Sequence, residues 1–279
     1  MLKKVLFPVK GKESPAKLIE MAGFLKIFNT ESISIVNVGS GHKDKTQSFF
    51  KELKSNFTDL GFKVEIIKRQ GQVVEEILAC ARESRASFIC FAYKRKSPLK
   101  RALFGDITTD VIRLSDVPVF VYKSPPPFQK SQGVNRVMYT TGLSDNDIKI
   151  LDYLKSRELK ADRLLLFHAG ERAPDPAAEA ARTETVYSRL SSLEAQCAGS
   201  FSHIETRDVV ASSVTQAIVR QARKSSIDFI IIGKSDSPSP FQRMIGSTAE
   251  TLPHKASCPV LIIPGIYEGI IAMEQQASE

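Results

Sequence analysis

The sequence predicts two α/β domains in tandem, each an open, doubly wound parallel sheet covered by helices on both faces. The first sign is a long internal repeat. FICFAYKRKSPLKRALFGDITTDVIRLSDVPVFVYK, from Phe88 to Lys123, matches FIIIGKSDSPSPFQRMIGSTAETLPHKASCPVLIIP, from Phe229 to Pro264, at a constant offset of 141. A period this long signals duplicated domains, because solenoid repeats run to roughly 20–50 residues. The second sign is the alternation of short apolar strands with helical stretches, which implies right-handed crossovers and a parallel sheet. The third is length: 279 residues, at roughly 100–200 per domain, leave room for two separate cores.

In the first half VLFPV is an apolar strand that runs into a polar turn. Ser14 followed by Pro15 marks a helix start, an N-cap and then a proline at the first helical position, and Leu18, Ala22 and Leu25 line one face of that helix. ISIVNV, VEII, FICFA and VPVFVY are continuous apolar runs of the kind expected where both faces of a sheet are covered. The third helix carries Val73, Ile77, Leu78 and Ala81, matched in the second half by Val214, Ile218, Val219 and Ala222. The second half opens with VMYTTGLSDNDIKILDYLK at Val137, which echoes the N-terminal strand, turn and helix. Between the halves lies SPPPFQKSQG, Ser124 to Gly133, whose three prolines fix φ and remove amide donors, so it reads as a linker. The expected domains are therefore 1–128 and 134–279. Ligands of such sheets sit beyond the carboxyl ends of the strands, where the strand order reverses.

Composition narrows the class. With 42% hydrophobic and 25% charged residues the chain is ordinary for a globular protein. VLIIPGIYEGIIAM is interrupted by proline, glycine and glutamate, well short of the roughly 20 apolar residues of a membrane span. Cys80, Cys90, Cys197 and Cys258 form no CxxC pair and read as buried thiols in a reducing cytoplasm. The net charge of +8 is one-sided: residues 1–128 hold 22 Lys and Arg against 13 Asp and Glu, and the remainder 17 against 18.

At the first strand, the penultimate strand, the glycine loop and the closing SCPVLIIP strand, the sequence resembles the universal stress protein family in its tandem, two-domain form. The resemblance covers nearly the whole chain. It implies a Rossmann-like, adenine nucleotide alpha hydrolase-like fold and a stress-response or regulatory role. It also implies an adenine nucleotide ligand, ATP or AMP with or without Mg²⁺, and a pseudo-dimer in which the closing strands meet antiparallel, with a homodimer of whole chains as a further option. Nucleotide-binding members carry a glycine, a second glycine three positions on, and after nine more residues a glycine followed by Ser or Thr. Gly233, Gly246 and Ser247 fit that spacing, while Asp236 replaces the second glycine. With Lys234 and Thr248 beside them, and Thr141, Gly142 and Ala169 at the ends of the first two strands, they make up the nucleotide site that the resemblance implies.

In the first half the same register gives Ala92, Arg95, Gly105 and Asp106, and Lys10 stands where nucleotide-binding members place an aspartate, a place that Gly142 takes in the second half. Asp106 supplies a carboxylate that would cap the helix amides a phosphate needs. Lys94, Arg95 and Lys96 occupy the phosphate-loop position and, with Lys10, form an expected anion site made of side chains. Aromatic residues are too thinly interleaved there for a nucleic-acid surface. Two alternatives stand beside nucleotide binding: a ligand-free scaffold acting through protein contacts, and, last, a slow ATP hydrolase for which no catalytic residue is legible.

Other motifs fail on spacing. Gly233-Lys234-Ser235 lacks the upstream Walker A glycine, since position 228 is Asp228, and Gly39-Ser40-Gly41 lacks the third dinucleotide glycine, since position 44 is Asp44. His42, His168, His203 and His254 have no ligand spacing; His168, at the end of a strand near the crevice, reads as a hydrogen-bonded core or rim histidine.

Overall fold

The computed structural model describes residues 2–39, 44–93, 107–124, 134–144, 147–155, 159, 161–234 and 248–265. The chain divides into two compact units, with Met1–Ser124 in one and Pro125–Gly265 in the other.

The first unit runs β1 (Lys4–Pro8), α1 (Pro15–Phe24), β2 (Ser32–Val38), α2 (Asp44–Asp59), β3 (Lys63–Arg69), α3 (Val73–Glu83), β4 (Phe88–Ala92), α4 (Ile107–Leu114) and β5 (Val119–Tyr122). Its strands lie in the order β3-β2-β1-β4-β5 and pair in parallel. The core is aromatic: Phe24 stacks on Phe120 with centroids 5.7 Å apart, and Phe28 meets Phe88 and Phe120 edge-on at 6.1 and 5.4 Å. Leu18, Ala22 and Leu25 are buried as their spacing predicts. Ser14 holds the N-cap position before Pro15, but its hydroxyl makes no capping bond. The loop amides there are taken by Glu13 instead.

The second unit repeats the scheme with β6 (Arg136–Thr141), α5 (Asp147–Lys155), β7 (Arg163–Gly170), α6 (Pro176–Cys197), β8 (His203–Val210), α7 (Val214–Lys224), β9 (Phe229–Lys234), α8 (Thr248–Lys255) and β10 (Val260–Pro264). The order is β8-β7-β6-β9-β10, again parallel. In both units the order turns back beside the first strand, which puts the switch point between β1 and β4 and between β6 and β9.

One strand departs from the sequence reading. VEII belongs to β3, whose residues are half-buried or exposed throughout, because β3 pairs only with β2 among the described strands of its unit. Lys63, Lys68 and Arg69 at its ends carry the charges that discourage further pairing at an edge.

The duplication reaches the backbone dihedrals. Arg85 and Ser226, 141 residues apart, both adopt left-handed conformations just after α3 and α7, with φ of 51° and 48°. Gly11 follows β1 at φ 78°, and its counterpart after β6 is Leu143 at φ 55°. A left-handed leucine is costly, of order 1–2 kcal/mol. It is held by two contacts: its amide donates to the Thr141 hydroxyl at 2.7 Å, and its carbonyl accepts from the Arg189 guanidinium.

Candidate functional site

A cavity of about 320 Å³ opens at the carboxyl ends of β6, β7 and β9 in the second unit. Its wall is built by the ends of three strands and the first turns of α5, α7 and α8. Among the residues lining it are Thr141, Gly142, Ala169, Gly233, Lys234 and Thr248. These are six of the positions that the sequence reading singled out, and they come together at one place. Asp236, Gly246 and Ser247 lie outside the described residues, as do Lys94, Arg95, Lys96 and Asp106 of the first half.

On one face of β6, Tyr139 and Thr141 both point at Asp147, the first residue of α5. The Tyr139 phenol donates to Asp147 Oδ1, and the Thr141 hydroxyl donates to Asp147 Oδ2 at 2.6 Å. Thr141 Oγ1 already accepts the Leu143 amide, so its own proton is committed to the carboxylate. Burial and the adjacent Asp147 carboxylate push the Tyr139 phenol far above its ordinary value, so it remains a donor. At the N-terminus of α5 the carboxylate also meets the positive end of the helix dipole. None of the sequence motifs pointed to Asp147.

On the other face of β6, Thr140 lies in register with Phe167 and Ile232, is 6% exposed, and its hydroxyl has no hydrogen-bond partner. His168 Nδ1 lies 3.1 Å from the Thr141 carbonyl. A carbonyl only accepts, so Nδ1 carries the proton of this hydrogen bond. The histidine is thus a rim residue tying β7 to β6, as the sequence suggests.

Gly233 has a packing role besides any approach to a ligand. A Cβ there would come within 2.7 Å of Ile150 Cδ1, so the missing side chain lets α5 settle onto the end of β9. Gly142, by contrast, has nothing within 4 Å of where a Cβ would stand, so that position is open space beside the cavity.

At the corresponding place in the first unit, loop groups are taken up by neighbouring side chains. The Glu13 carboxylate accepts the amides of Lys10 and Lys12, each at 3.0 Å. Lys17 donates to the Tyr93 carbonyl at the end of β4 across 2.8 Å, and Lys123 sits 4.0 Å over the Tyr93 ring. The place expected to be an anion site therefore holds a carboxylate at its Lys10 side. A charge count cannot show this, because it does not say which way Glu13 turns.

A wider, shallow hollow of about 590 Å³ lies at the opposite, amino edge of the second unit, lined by Asn135, Asp162, Arg163, Ser202 and His203. It is remote from the strand ends where this fold places ligands. Among the described residues no three His, Cys, Asp or Glu side chains come together as a metal site. All four cysteines are buried and free.

Two units, each a parallel sheet with its switch point beside its first strand, define a duplicated, doubly wound α/β protein. The chain belongs to the Universal stress protein family, whose sequence pattern matches residues 41–123 and again 133–264. It is 26% identical over 155 residues to universal stress protein MJ0577 of Methanocaldococcus jannaschii, covering 44% of this chain and 96% of that one, as expected when one domain is compared with two. Among solved structures it is similar to a universal stress protein of Archaeoglobus fulgidus, with a TM-score of 0.72 at 20% identity, covering 95% of this chain and 97% of that one. It is likewise similar to the Pseudomonas aeruginosa protein PA1789, with a TM-score of 0.73 at 15% identity, covering 99% and 97%. No helix among the described residues is long and apolar enough to cross a membrane.

Proposed function

We propose that the second unit binds an adenine nucleotide, AMP or ATP, at the carboxyl ends of β6 and β9, and that the chain is a nucleotide-responsive regulator of the stress response in the cytoplasm. The observation that carries this reading is the gathering of Thr141, Gly142, Ala169, Gly233, Lys234 and Thr248 around one cavity. Thr248 opens α8, whose first amides and dipole favour an anion, and Lys234 adds a cation at the end of β9. Gly246 and Ser247 would extend the same anion cradle. Four buried free thiols suit a reducing compartment. In the first unit the Glu13 carboxylate takes the Lys10 and Lys12 amides in the loop after β1, where Gly142 leaves open space in the second.

Hydrogen exchange on the full chain tests this reading. AMP or ATP should protect the segments around Tyr139–Ile148 and Phe167–Gly170 and leave Phe7–Glu13 unchanged. Protection confined to the first unit, or none anywhere, overturns it.

The closing strands β5 and β10 are each the last strand of their own unit and almost wholly apolar. An apolar strand with an unpaired edge favours pairing with another, and on that ground the two halves form a pseudo-dimer through them. Crosslinks from residues near Val121 to residues near Ile262 within one chain are the expected result.

A second anion site is built from Lys10, Lys94, Arg95 and Lys96 of the first half. Lys17 and Lys123, both on Tyr93, add two cations next to the loop that carries three of those residues. Replacing Lys94, Arg95 and Lys96 together should abolish retention on a polyanion matrix at low salt, and unchanged retention would remove the site.

A further inference from the structure

The polar wall at the end of β6 has no counterpart in the first unit. Positions 139, 140, 141 and 147 are Tyr, Thr, Thr and Asp, whereas the equivalent positions 7, 8, 9 and 15 are Phe, Pro, Val and Pro. A fold that needs only a core here can make it from apolar side chains. Phe7 is fully buried, with its ring centroid 5.6 Å from that of Phe57. In the second unit the same places hold three hydroxyls and a carboxylate, with Tyr139 0%, Thr140 6%, Thr141 6% and Asp147 8% exposed. All four residues line the cavity.

Donor and acceptor accounting shows what this wall can receive. The Asp147 carboxylate has about four acceptor sites, and Tyr139 and Thr141 fill two of them. The remaining capacity leaves room for a further donor. Thr140, on the opposite face of β6, brings a buried hydroxyl with no partner, which can accept from or donate to a neighbouring group at the same end of the ligand. A carboxylate in the wall repels phosphate and welcomes an uncharged N–H or O–H.

We propose that Asp147 and Thr140 determine which nucleotide the cavity accepts, by receiving its uncharged, donor-bearing end while the phosphate turns toward Lys234 and Thr248. The donor is either the exocyclic amine of the base or a sugar hydroxyl. This inference rests on the nucleotide reading above and adds to it the two residues that set selectivity.

The test is calorimetric titration of the full chain and of Thr140→Val and Asp147→Asn with AMP, IMP, 2′-deoxy-AMP and 3′-deoxy-AMP. IMP replaces the amine by a carbonyl, and each deoxy compound removes one hydroxyl. Wild type should prefer AMP over the analogue that lacks the recognised donor, which identifies the donor. Each variant should weaken AMP by roughly tenfold and flatten that preference. Thermal melting accompanies each titration. Thr140→Val is nearly isosteric and removes an unpartnered hydroxyl, so it keeps the test valid if Asp147→Asn folds poorly. A higher melting temperature in Thr140→Val with unchanged AMP affinity and an unchanged preference would show a structural threonine and overturn the inference, leaving nucleotide binding intact. Absence of AMP binding to wild type overturns the inference and the underlying reading together.

Discussion

Asn37 and His168 do the same work in the two units. The Asn37 amide donates to the Val9 carbonyl at 2.8 Å, and the His168 ring meets the Thr141 carbonyl at 3.1 Å. Each side chain ties the end of its unit's second strand to the end of its first. The duplicated fold thus keeps the tie and changes the residue that makes it.

His168→Asn should therefore retain most of the stability of the wild type, whereas His168→Leu should lose about 1 kcal/mol, because the Thr141 carbonyl is left without its partner. Urea unfolding of both variants measures the difference. Equal losses would show that the ring contributes packing alone.

Leu143 occupies a left-handed position that the first unit gives to Gly11. Leu143→Gly relieves the Cβ penalty but frees the unfolded chain, so the net change should be a gain of at most about 1 kcal/mol. Arg189→Ala, which removes the guanidinium from the Leu143 carbonyl, should destabilise the wild type more than it destabilises Leu143→Gly. A double-mutant cycle followed by thermal unfolding reads that coupling.

Gly233→Ala would press on Ile150 Cδ1, the far end of a flexible side chain. The expected cost is about 1–2 kcal/mol. Restoring space with Ile150→Val in the same chain should recover part of it, as seen by calorimetric melting.

Glu179 predicts a pH effect. Its carboxyl is held below the usual carboxylate range, first by hydrogen bonds from the Arg182 guanidinium and next by the Ala173 amide at 2.7 Å. A depressed carboxyl contributes stability that is present above its unfolded pKa and is lost as pH falls through the folded one. The loop before α6 should therefore stay closed through the ordinary carboxylate range and open only below it. The amide shift of Ala173, followed by NMR, should titrate there, and Glu179→Gln should abolish that titration.

Much of this fold is legible in the residues. The repeat between Phe88 and Pro264, the apolar strands and the helix start at Ser14-Pro15 follow from spacing and side-chain type. β3 is the exception, and the alternation of Lys63, Glu65 and Lys68 around its apolar residues was the available sign of an edge. Within the cavity, Gly233, Lys234 and Thr248 could be found because the repeat aligns them with a loop of known spacing. Asp147 could not be found that way. It closes a polar run of Ser144, Asp145, Asn146 and Asp147, and only the strand-to-helix turn decides which of these side chains faces Tyr139 and Thr141. Glu13 and Lys17 were hidden for the same reason. Thr140 looks like any β-branched strand residue until its burial and missing partner are seen. Setting Phe7-Pro8-Val9 beside Tyr139-Thr140-Thr141 was the sequence signal that could have exposed the wall.

The left-handed turn after each unit's first strand shows what the fusion of two copies permits. In an assembly of identical chains, exchanging a glycine for a leucine there would alter both copies at once, and any loss in one would be doubled. Here Gly11 and Leu143 are separate genetic positions. One copy can keep the relaxed turn and hold the scaffold together while the other accumulates the strain, hydroxyls and carboxylate found at the end of β6. The expected signature in solution is an adenine nucleotide stoichiometry of one per chain, with a saturation curve free of cooperativity within the chain.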